Sequence, residues 1–338
     1  MHVLVSGARG FIGSTFVRSW LTNRQPANME ELDNDSDQTI TKITAYCRNT
    51  NDWTRPRLEQ FPLTSQAQAK GDLRIVYGDL GGDVSGLCEG IDAVIHFAAK
   101  TYVDHSIRDP APFVQANVLG TATLLEDARR QGVKAFINIS TDEVYGQILE
   151  GAYDESAPLC PRNPYAASKA GADALAISYY YTFKMWTAVT RTENNYGIYQ
   201  HPQKALPVFI GHALRDEHLP VYGDGEHVRQ WLYVQDHVNA IMVLLEKYKE
   251  LPGGEVWHIA GNQEFTNNEL ARTILRLTGK PETNIHHLDD MNIRPGHDRR
   301  YALQCKKMHA LGWKPEVSLE DGLRACVNWY GTNPSWLG

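Results

Sequence analysis

Residues 3–14 read VLVSGARGFIGS, a short apolar run followed by three evenly spaced glycines. The apolar run predicts a buried strand, and residues 11–21 carry the apolar face of a helix. Gly7, Gly10 and Gly13 lie at the turn between the two. Glycine permits a tight turn and a close backbone approach to a ligand, and a helix N-terminus attracts anions. The stretch therefore predicts a pyrophosphate-binding turn, although a glycine-rich turn without a ligand has the same pattern.

Four further apolar runs follow in the first half of the chain, at residues 43–47, 73–77, 93–97 and 135–139. Helical patterns lie between them, as at residues 116–131. Alternation of this kind favours right-handed crossovers and a parallel sheet covered on both faces. We predict an α/β protein with a Rossmann-type doubly wound parallel sheet and a smaller C-terminal α/β substrate-binding domain.

Residues 24–41 interrupt this alternation with five acidic residues and one arginine. Few large apolar side chains occur among them. Segments of this composition cannot bury enough apolar surface to pack as a core element. We therefore interpret residues 24–41 as a solvated acidic insertion.

Composition and charge narrow the class of protein. The chain has 338 residues, 42% hydrophobic and 22% charged, which is typical of a soluble globular protein. A formal net charge of −7 argues against nucleic acid as a partner, because phosphate binding favours a basic surface. No apolar stretch approaches the roughly 18–20 residues that span a bilayer, and no signal peptide precedes the first strand. We expect a cytoplasmic protein without a membrane segment.

The cysteines and histidines give no metal-binding motif. The five cysteines are dispersed and form no CxxC pair, and the thirteen histidines form no HExxH motif. Dispersed cysteines suit reduced thiols in a cytosolic protein. We expect no metal site.

Residues 165–169 read YAASK and place Tyr165 and Lys169 one helical turn apart on the same face. A free phenol has a pKa of about 10 and is a poor base at neutral pH. A neighbouring ammonium group and an oxidised nicotinamide both lower that pKa and make Tyr165 a workable general base. The spacing is common by chance, but here it follows a strand that ends in hydroxyl residues, which favours a dehydrogenase-type site.

Residues 140–146 read STDEVYG and follow the predicted strand at residues 135–139. A hydroxyl residue and a tyrosine suffice for simple alcohol oxidation, but they do not explain Asp142 and Glu143. Adjacent residues leaving a strand point in different directions, so two acids can act on two atoms of one substrate. Beta-elimination uses such a pair, because one carboxylate removes a proton from carbon while a carboxylic acid protonates the departing hydroxyl.

Several longer stretches carry a family resemblance: GARGFIGS at residues 7–14, NPYAASKAGAD at 163–173, NNYGIYQHPQKALP at 194–207, YGDGEHVRQWLYVQDH at 222–237 and RPGHDRRYA at 294–302. With STDEVYG, they closely resemble the nucleotide-diphosphate-glucose 4,6-dehydratases of the extended short-chain dehydrogenase/reductase superfamily. The resemblance covers nearly the whole chain apart from the acidic insertion. The TDE triplet separates these dehydratases from related sugar-nucleotide 4-epimerases, which usually carry small or hydroxyl residues at the acid positions.

The resemblance implies a mechanism for converting an NDP-hexose to an NDP-4-keto-6-deoxyhexose. Tyr165 takes the proton of the C4 hydroxyl as hydride passes to the nicotinamide, with Thr141 bonding that oxygen and Lys169 tuning the tyrosine. Glu143 then removes the C5 proton, and Asp142 protonates the C6 hydroxyl as it leaves as water. Hydride returns to C6 and a proton to C5, so the cofactor ends as it began and is expected to stay tightly bound.

The cofactor is expected to be NAD(P). The predicted cofactor-binding residues are Gly7, Arg9, Gly10, Phe11, Ile12, Gly13, Arg48, Asp79, Leu80, Ala98, Ala99, Tyr165 and Lys169. The second strand ends in Tyr46-Cys47-Arg48 where an acid would bind the ribose hydroxyls of NAD. Arg48 and Arg9 suit a bidentate clamp on a 2′-phosphate, which favours NADP over NAD unless both arginines are merely solvated.

The resemblance also implies a set of substrate-binding residues: Asn194 and Asn195 near the sugar and diphosphate, Lys204 and Pro207 near the base, and Arg229 and Arg294 on the diphosphate. Each of these arginines also suits a structural salt bridge. The chain departs from the family at His258, where many relatives have asparagine, and at Tyr102, which replaces a histidine in the loop after the fourth strand. It also departs at Arg191-Thr192-Glu193, which precede the paired asparagines. Glu193 fits either an altered sugar or a pairing with a nearby arginine.

The predicted dinucleotide-binding domain covers residues 1–190, with residues 227–257 returning to it. The predicted sugar-nucleotide-binding domain consists of residues 191–226 and 258–338. Relatives usually dimerise by packing helices like those at residues 116–131 and 165–184 into a four-helix bundle, so we expect a homodimer.

Three alternatives to a 4,6-dehydratase stay open. Two are other extended short-chain enzymes, a sugar-nucleotide 4-epimerase and a 5,6-dehydratase, and the third is a non-catalytic NADP-binding sensor. Asp142 with Glu143 argues against simple epimerisation, and the presence of both Tyr165 and Lys169 argues against the sensor. The sequence specifies neither the nucleotide base nor the hexose.

Overall fold

The computed structural model describes residues 1–23, 40–48, 56–289 and 298–337. Most of the predicted acidic insertion, residues 24–39, lies outside the described residues, and so does Arg294.

Twelve strands occur in the described residues: β1 (His2–Ser6), β2 (Lys42–Cys47), β3 (Leu73–Tyr77), β4 (Ala93–His96), β5 (Ala135–Thr141), β6 (Trp186–Thr192), β7 (Asn194–Tyr196), β8 (Leu219–Tyr222), β9 (Val228–Tyr233), β10 (Glu255–Ile259), β11 (Glu264–Thr266) and β12 (Ile285–Leu288). The α-helices of the same residues are α1 (Phe11–Asn23), α2 (Pro56–Glu59), α3 (Pro62–Lys70), α4 (Val103–Arg108), α5 (Ala111–Phe113), α6 (Gly120–Arg130), α7 (Pro164–Phe183), α8 (Ala205–Leu214), α9 (Val234–Lys247), α10 (Asn267–Thr278), α11 (Lys306–Ala310) and α12 (Leu319–Thr332). A π-helical turn (Val114–Leu119) joins α5 to α6, and a 3₁₀ turn (Asp142–Tyr145) follows β5.

Seven strands form one sheet in the order β10-β6-β5-β4-β1-β2-β3. The pairs β1–β2, β1–β4, β2–β3 and β4–β5 are all parallel. The strand order runs in opposite directions from β1, and a crevice at the carboxyl ends of the strands opens at such a point. The predicted doubly wound α/β fold is confirmed.

The central strands of this sheet are buried on both faces, as expected of a parallel sheet covered by helices, whereas the edge strand β3 is partly exposed. Every residue of β4 and of β5 is buried, including the polar side chains of His96, Asn138 and Thr141. Hydrogen bonds stabilise several of these polar groups: His96 bonds Ser6 and Thr121, and Asn138 donates to Asp173.

The chain divides into two compact units. Unit 1 comprises residues 1–141, 163–191 and 238–257, and unit 2 comprises residues 142–162, 192–237 and 258–338. The division differs from the predicted domain boundaries at residues 142–162 and 227–237, which belong to unit 2, and at Arg191, which belongs to unit 1.

Long-range contacts explain why residues 142–162 lie in unit 2. Tyr145 hydrogen-bonds His258 at 2.6 Å, and Tyr153 pairs with Leu303 in a parallel bridge. Both partners come more than a hundred residues later in the chain, so no local pattern indicates the assignment.

Unit 2 has its own apolar core and its own small sheets. The sheets are β11-β9-β7 and the parallel pair β12-β8, and the core contains Tyr196, Phe209, Ile274 and Leu323. The helix α10 begins with a capping box between Thr266 and Glu269 and ends at Gly279 in the left-handed conformation. This unit corresponds to the predicted smaller α/β part of the fold.

Asp127 of α6 fixes a loop of unit 1. Its carboxylate accepts the backbone N–H groups of Gly86 and Cys88, each at 2.8 Å, and only 6% of the residue is exposed. The helix and the loop are joined by these two bonds across about forty residues of sequence. Removal of the carboxylate leaves two amides without their partner.

We predict that Asp127→Ala lowers the free energy of unfolding by about 1–3 kcal/mol, because the buried amide of Cys88 and the part-buried amide of Gly86 lose their acceptor. Urea unfolding followed by tryptophan fluorescence measures the change. Asp83→Ala is the matched control, since Asp83 also accepts a backbone N–H in this loop, from Ser85, but is exposed. Equal losses in the two variants would contradict the structural role of Asp127.

Candidate active site

The glycine turn after β1 has no room for side chains. Gly7 has φ of +70°, and a Cβ there would lie 2.7 Å from the backbone nitrogen of Ala98. A Cβ on Gly13 would lie 2.5 Å from the carbonyl oxygen of Gly7. Both positions therefore require glycine. The turn leads directly into α1, whose first turn carries no acidic residue. The backbone conformation and the helix N-terminus fit a bound pyrophosphate.

Other predicted cofactor-binding residues lie at the same carboxyl edge of the sheet in unit 1. Asp79 and Leu80 follow β3, and Ala98 and Ala99 follow β4. Asp79 is exposed and its carboxylate accepts the N–H of Gly81 at 2.9 Å. The remaining ones occupy the start of α1 (Phe11, Ile12), the end of β2 (Arg48, exposed) and the glycine turn (Gly10). The arrangement fits a dinucleotide lying across this edge.

Arg9 of the glycine turn forms an ion pair with Glu59 of α2. The hydroxyl of Tyr77 donates to the same carboxylate at 3.0 Å, and the guanidinium lies 4.9 Å from the centre of the Tyr77 ring. The oxygen Oε2 of Glu59 is buried, and no hydrogen bond reaches it from the residues that the structure describes. Sequence reasoning missed Glu59, because it lies fifty residues from Arg9.

The helix α7 carries Tyr165 and Lys169. It begins with Pro164 in its first turn, and the side chain of Asn163 accepts the N–H of Ala166 as an N-cap. Tyr165 is 8% exposed and Lys169 is 3% exposed. The ammonium group of Lys169 donates to the carbonyl of Ile139 in β5 at 2.6 Å. The predicted tyrosine and lysine are thus both buried in unit 1, on a helix whose start is fixed by its sequence.

Lys169 titrates in an unusual environment. Burial lowers the pKa of Lys169 to about 8, while the carboxylate of Asp173 opposes this effect. Asp173 lies one further turn along α7 and pairs with Arg191 of β6 at 3.0 Å, both side chains being almost fully buried. Asn138 donates to the same carboxylate at 3.2 Å. The negative charge of Asp173 therefore stabilises the charged form of the buried Lys169. In the sequence, only the spacing of four residues between Lys169 and Asp173 indicates this contact.

The carboxyl end of β4 carries a buried histidine. Ser6 hydrogen-bonds Nδ1 of His96 at 2.6 Å, and Thr121 hydrogen-bonds Nε2 at 2.9 Å. Burial lowers the pKa of His96 to about 3, with the charge of Lys169 acting in the same direction. His96 is therefore neutral at physiological pH and fixes the end of β4 to its neighbours.

The chain crosses from unit 1 to unit 2 between Thr141 and Asp142. Asp142 and Glu143 open the 3₁₀ turn, with Asp142 4% exposed and Glu143 less buried. Tyr145 in the same turn bonds Nε2 of His258, whose Nδ1 bonds the carbonyl of Gln304 at 3.0 Å. The departure at His258 thus supports the turn that carries the two acids.

Tyr301 and Arg229 lie near these acids in unit 2. Burial raises the pKa of Tyr301 well above its ordinary value, and the negative charges of Glu143 and Asp142 add to this effect. The guanidinium of Arg229 lies 4.5 Å from the centre of the Tyr301 ring and donates to the carbonyl of Asp298 at 2.8 Å. Arg229 is predicted to bind diphosphate, and in this structure its donors reach backbone carbonyls.

The paired asparagines of β7 differ in their surroundings. The amide of Asn195 donates to Thr192 and to the carbonyl of Glu193, each at 3.0 Å, and its Oδ1 accepts from His237 at 2.9 Å. Asn194 is half-buried. Lys204 is the N-cap residue of α8, and Pro207 is buried in the first turn of that helix.

The described residues contain no group of three or more potential ligands that could hold a metal ion. None of the described helices is both long and apolar enough to cross a membrane.

Comparisons with known proteins define the family. A family model described as GDP-mannose 4,6 dehydratase matches residues 4–326. The chain belongs to this family. It is 41% identical to a dTDP-glucose 4,6-dehydratase of Streptomyces niveus, an alignment that covers 99% of this chain and 94% of that protein. It is 43% identical to the low-salt glycan biosynthesis protein Agl12 of Haloferax volcanii, over 98% of both chains. The resemblance inferred from the motifs is confirmed.

Solved structures are also similar to this chain, and the dehydratase among them has the higher sequence identity. DesIV, a dTDP-glucose 4,6-dehydratase from Streptomyces venezuelae solved with NAD bound, is 39% identical and superposes with a TM-score of 0.87, covering 99% of this chain and 98% of that one. A UDP-glucuronic acid 4-epimerase from Bacillus cereus has a similar TM-score of 0.86 but only 27% identity, over 98% of this chain and all of the other.

We predict that the buried His237 makes stability depend on pH. Burial lowers its folded-state pKa to about 3 from an ordinary 6.5. Between these two pKa values the unfolded chain binds more protons than the folded protein. The contribution of His237 to the free energy of unfolding is therefore fully present above pH 6.5 and is lost as the pH falls. At pH 5 the loss amounts to about 2 kcal/mol. The free energy of unfolding is measured with urea at pH 7 and at pH 5. Between these two pH values it is expected to fall by about 2 kcal/mol less in His237→Gln than in the wild type.

The control for this experiment is His218→Gln. His218 is exposed, so its ring is in contact with water in both the folded and the unfolded protein. An identical acid-induced loss of stability in wild type and His237→Gln would contradict the burial of a neutral His237.

Proposed function

We propose that the protein is a sugar-nucleotide 4,6-dehydratase that converts an NDP-hexose to an NDP-4-keto-6-deoxyhexose. The observation that carries the proposal is the end of β5, where Thr141 is followed directly by a 3₁₀ turn that begins with Asp142 and Glu143. Full-length relatives named dTDP-glucose 4,6-dehydratase support it. An epimerase needs no acid pair to remove water, so this feature favours the dehydratase over the epimerase and the non-catalytic sensor.

The first step is proton removal from the C4 hydroxyl by Tyr165. Thr141 donates a hydrogen bond to that oxygen, and Lys169 lowers the pKa of the phenol through its positive charge. A lysine with a pKa of about 8 is partly deprotonated near neutral pH. The charge of Asp173 is therefore important, because it favours the protonated form of Lys169. The bound dinucleotide would accept hydride from C4 and return it to C6.

In the elimination that follows, the two acids act on different atoms of the sugar. The 4-keto group acidifies the C5 proton, and Glu143 removes it as general base. Asp142 protonates the C6 hydroxyl so that it leaves as water. Their environments suit different roles, because Asp142 is almost fully buried whereas Glu143 is less so, and burial favours the protonated form of a carboxyl group. A 5,6-dehydratase would use the same groups without returning hydride to C6.

We predict that Glu143→Gln abolishes the uptake of solvent deuterium at C5, because the base for that proton is lost. Asp142→Asn is the matched variant: it is expected to retain C5 exchange while water loss falls by about 10²–10⁴-fold. Mass spectrometry of the sugar nucleotide in deuterated water follows both events. Normal water loss by Glu143→Gln would contradict the assignment of the base.

The substrate is proposed to be a dTDP-hexose, with dTDP-glucose as the first compound to test, because several relatives that match the full chain are named for it. Asn194, Asn195, Lys204, Pro207, Arg229 and Arg294 are proposed to contact it. Arg229 would then exchange backbone carbonyls for the diphosphate, since guanidinium groups bind phosphate oxygens in bidentate fashion.

The cofactor is proposed to be NAD rather than NADP. The sequence favoured NADP through Arg9 and Arg48, but Arg9 is paired with Glu59. A 2′-phosphate near Arg9 would lie beside the Glu59 carboxylate, and like charges in contact repel. The buried Oε2 of Glu59 suits a ribose hydroxyl, the hydrogen bond that an acid at the end of β2 usually makes.

We predict that Glu59→Gln raises the affinity for NADP about tenfold, because the repelling charge is removed while the side chain keeps its shape. Cofactor released from the purified protein by denaturation is identified by mass spectrometry, and the wild type is expected to release NAD. Glu89→Gln, which removes an exposed acid of the same unit, is the control. Wild-type protein that carries NADP would contradict the proposal.

A homodimer is proposed on the basis of exposed apolar side chains on two segments of unit 1. Val114 and Leu119 of the π-helical turn are 52% and 53% exposed, and Tyr181 and Phe183 at the end of α7 are 63% and 47% exposed. Apolar patches of this kind mark association surfaces. The helices are those of the expected four-helix bundle. A cytoplasmic location remains a prediction from the sequence.

A further inference from the structure

The loop at residues 197–204 joins β7 to α8 in unit 2 and contains a strained residue. Tyr199 has φ of +64°, in the left-handed region of backbone conformation. A residue with a bulky side chain seldom adopts this conformation, because its Cβ lies too close to the following carbonyl oxygen. Such a residue persists only where the surrounding contacts over-determine it. The shape of the loop is therefore imposed by other parts of unit 2.

Aromatic side chains of α12 and of the turn after it hold Tyr199. The centre of its ring lies 4.5 Å from that of Trp329 and 5.5 Å from that of Trp336, and the two tryptophan rings lie 5.6 Å apart. Trp336 belongs to a 3₁₀ turn, Pro334–Trp336, that follows α12. Aromatic rings at these separations attract one another and bury apolar area. We call Tyr199, Trp329, Tyr330 and Trp336 the aromatic cluster.

The aromatic cluster also bonds the backbone of the loop. The indole N–H of Trp336 donates to the carbonyl of Gln200 at 2.9 Å. The hydroxyl of Tyr330 lies 3.2 Å from the carbonyl oxygen of Gly197 and 3.4 Å from that of Gln200. Tyr330 is fully buried and Gln200 is 7% exposed, so the bonds of Tyr330 are shielded from water. The loop is thus held by ring contacts at Tyr199 and by hydrogen bonds at the residues around it.

The loop is bonded to the elements at both of its ends. The side-chain amide of Gln200 donates to the backbone carbonyl of Asn195 in β7 at 3.0 Å. The backbone N–H of Lys204, the N-cap residue of α8, donates to the carbonyl of His201 at 2.9 Å. The residues of β7 and α8 that are proposed to contact the substrate are Asn194, Asn195, Lys204 and Pro207. The conformation of the loop therefore sets the distance between these two pairs of residues.

We propose that Gln200 and the aromatic cluster position the residues that bind the nucleoside diphosphate of the substrate. This inference rests on the proposed function, which assigns substrate contacts to β7 and α8. Gln200 and Trp336 are positioning residues, because they act through Asn195 and Lys204. An interaction that is used equally in the ground state and the transition state changes KM and leaves kcat unaltered. The restraint on the loop is of this kind, since the proposed proton-transfer groups lie on other elements.

The test is Trp336→Phe in the full-length protein, because phenylalanine keeps a ring beside Tyr199 but has no N–H for Gln200. The affinity for dTDP is measured by isothermal titration calorimetry, and kcat and KM are measured with dTDP-glucose. We expect dTDP to bind about tenfold more weakly and KM to rise about tenfold, with kcat within about twofold of the wild type. Trp186→Phe is the matched control, because the part-buried Trp186 of unit 1 donates to the carbonyl of Leu251 at 3.0 Å and loses the same kind of bond.

A second variant, Gln200→Met, tests the bond to Asn195. Methionine keeps the length of the side chain but has no N–H group, and the same loss of dTDP affinity is expected. The double variant Trp336→Phe/Gln200→Met is expected to lose about tenfold in affinity rather than about a hundredfold, because residues that act through one contact are not additive. A hundredfold loss overturns the role of Gln200 as the link. Gln200→Met still decides the proposal where Trp336→Phe fails to fold.

Unchanged affinity for dTDP in both single variants overturns the proposal. So does a fall in kcat with an unchanged KM, and so does a lower melting temperature without weaker dTDP binding, which indicates a structural role alone. Where dTDP does not bind the wild type, UDP, GDP and CDP are titrated, and a protein that binds none of the four overturns the proposal. A wild type that binds one of them but removes water from no NDP-hexose contradicts the proposed function instead, and the affinities of the variants still decide this inference.

Discussion

The buried ion pair between Asp173 and Arg191 is the constraint on which the geometry of unit 1 depends. It joins α7 to β6 at 3.0 Å, with both side chains almost completely removed from solvent. Loss of one partner of such a pair costs about 3–5 kcal/mol, because the other is left as an uncompensated buried charge. The pair therefore fixes α7 against the sheet. Lys169 and Tyr165 lie one and two turns before Asp173 on that helix, so their positions follow from it.

The same carboxylate also controls charge at the proposed base. A fully buried lysine tends to lose its proton, and the pKa of Lys169 of about 8 reflects this tendency. Asp173 opposes it. Burial raises the pKa of Asp173 itself, the charges of Arg191 and Lys169 oppose that rise, and Asn138 donates to the carboxylate. The network thus serves stability and chemistry together: the ion pair that holds the helix also maintains the positive charge that a phenolic base needs. In unit 2 burial acts on an acid instead, since it raises the pKa of Glu193 well above its ordinary value.

Local patterns were sufficient to predict the features that depend on neighbouring residues. The glycine turn, the parallel sheet, and the placement of Tyr165 and Lys169 all follow from spacing over a few residues, and the structure contains each of them. Glu59, Arg191 and His258 act through partners that lie 18 to 113 residues away in the sequence. No periodicity in one sequence indicates such a partner, because the contact exists only after the strands have been ordered in the sheet. The predicted domain boundaries differ at residues 142–162 for the same reason.

Two departures of this chain from its family, His258 and Glu193, share one physical character. His258 replaces an amide side chain and bonds Tyr145, whereas Glu193 adds a carboxyl group near Asp142. Both lie around the 3₁₀ turn that carries the two acids, and neither adds a group to the glycine turn or to the Tyr165 face of α7. A histidine and a carboxyl group both exchange protons, which the amide they replace or accompany does not. The changes at His258 and Glu193 therefore place groups that can exchange protons in unit 2, which also carries Asp142 and Glu143.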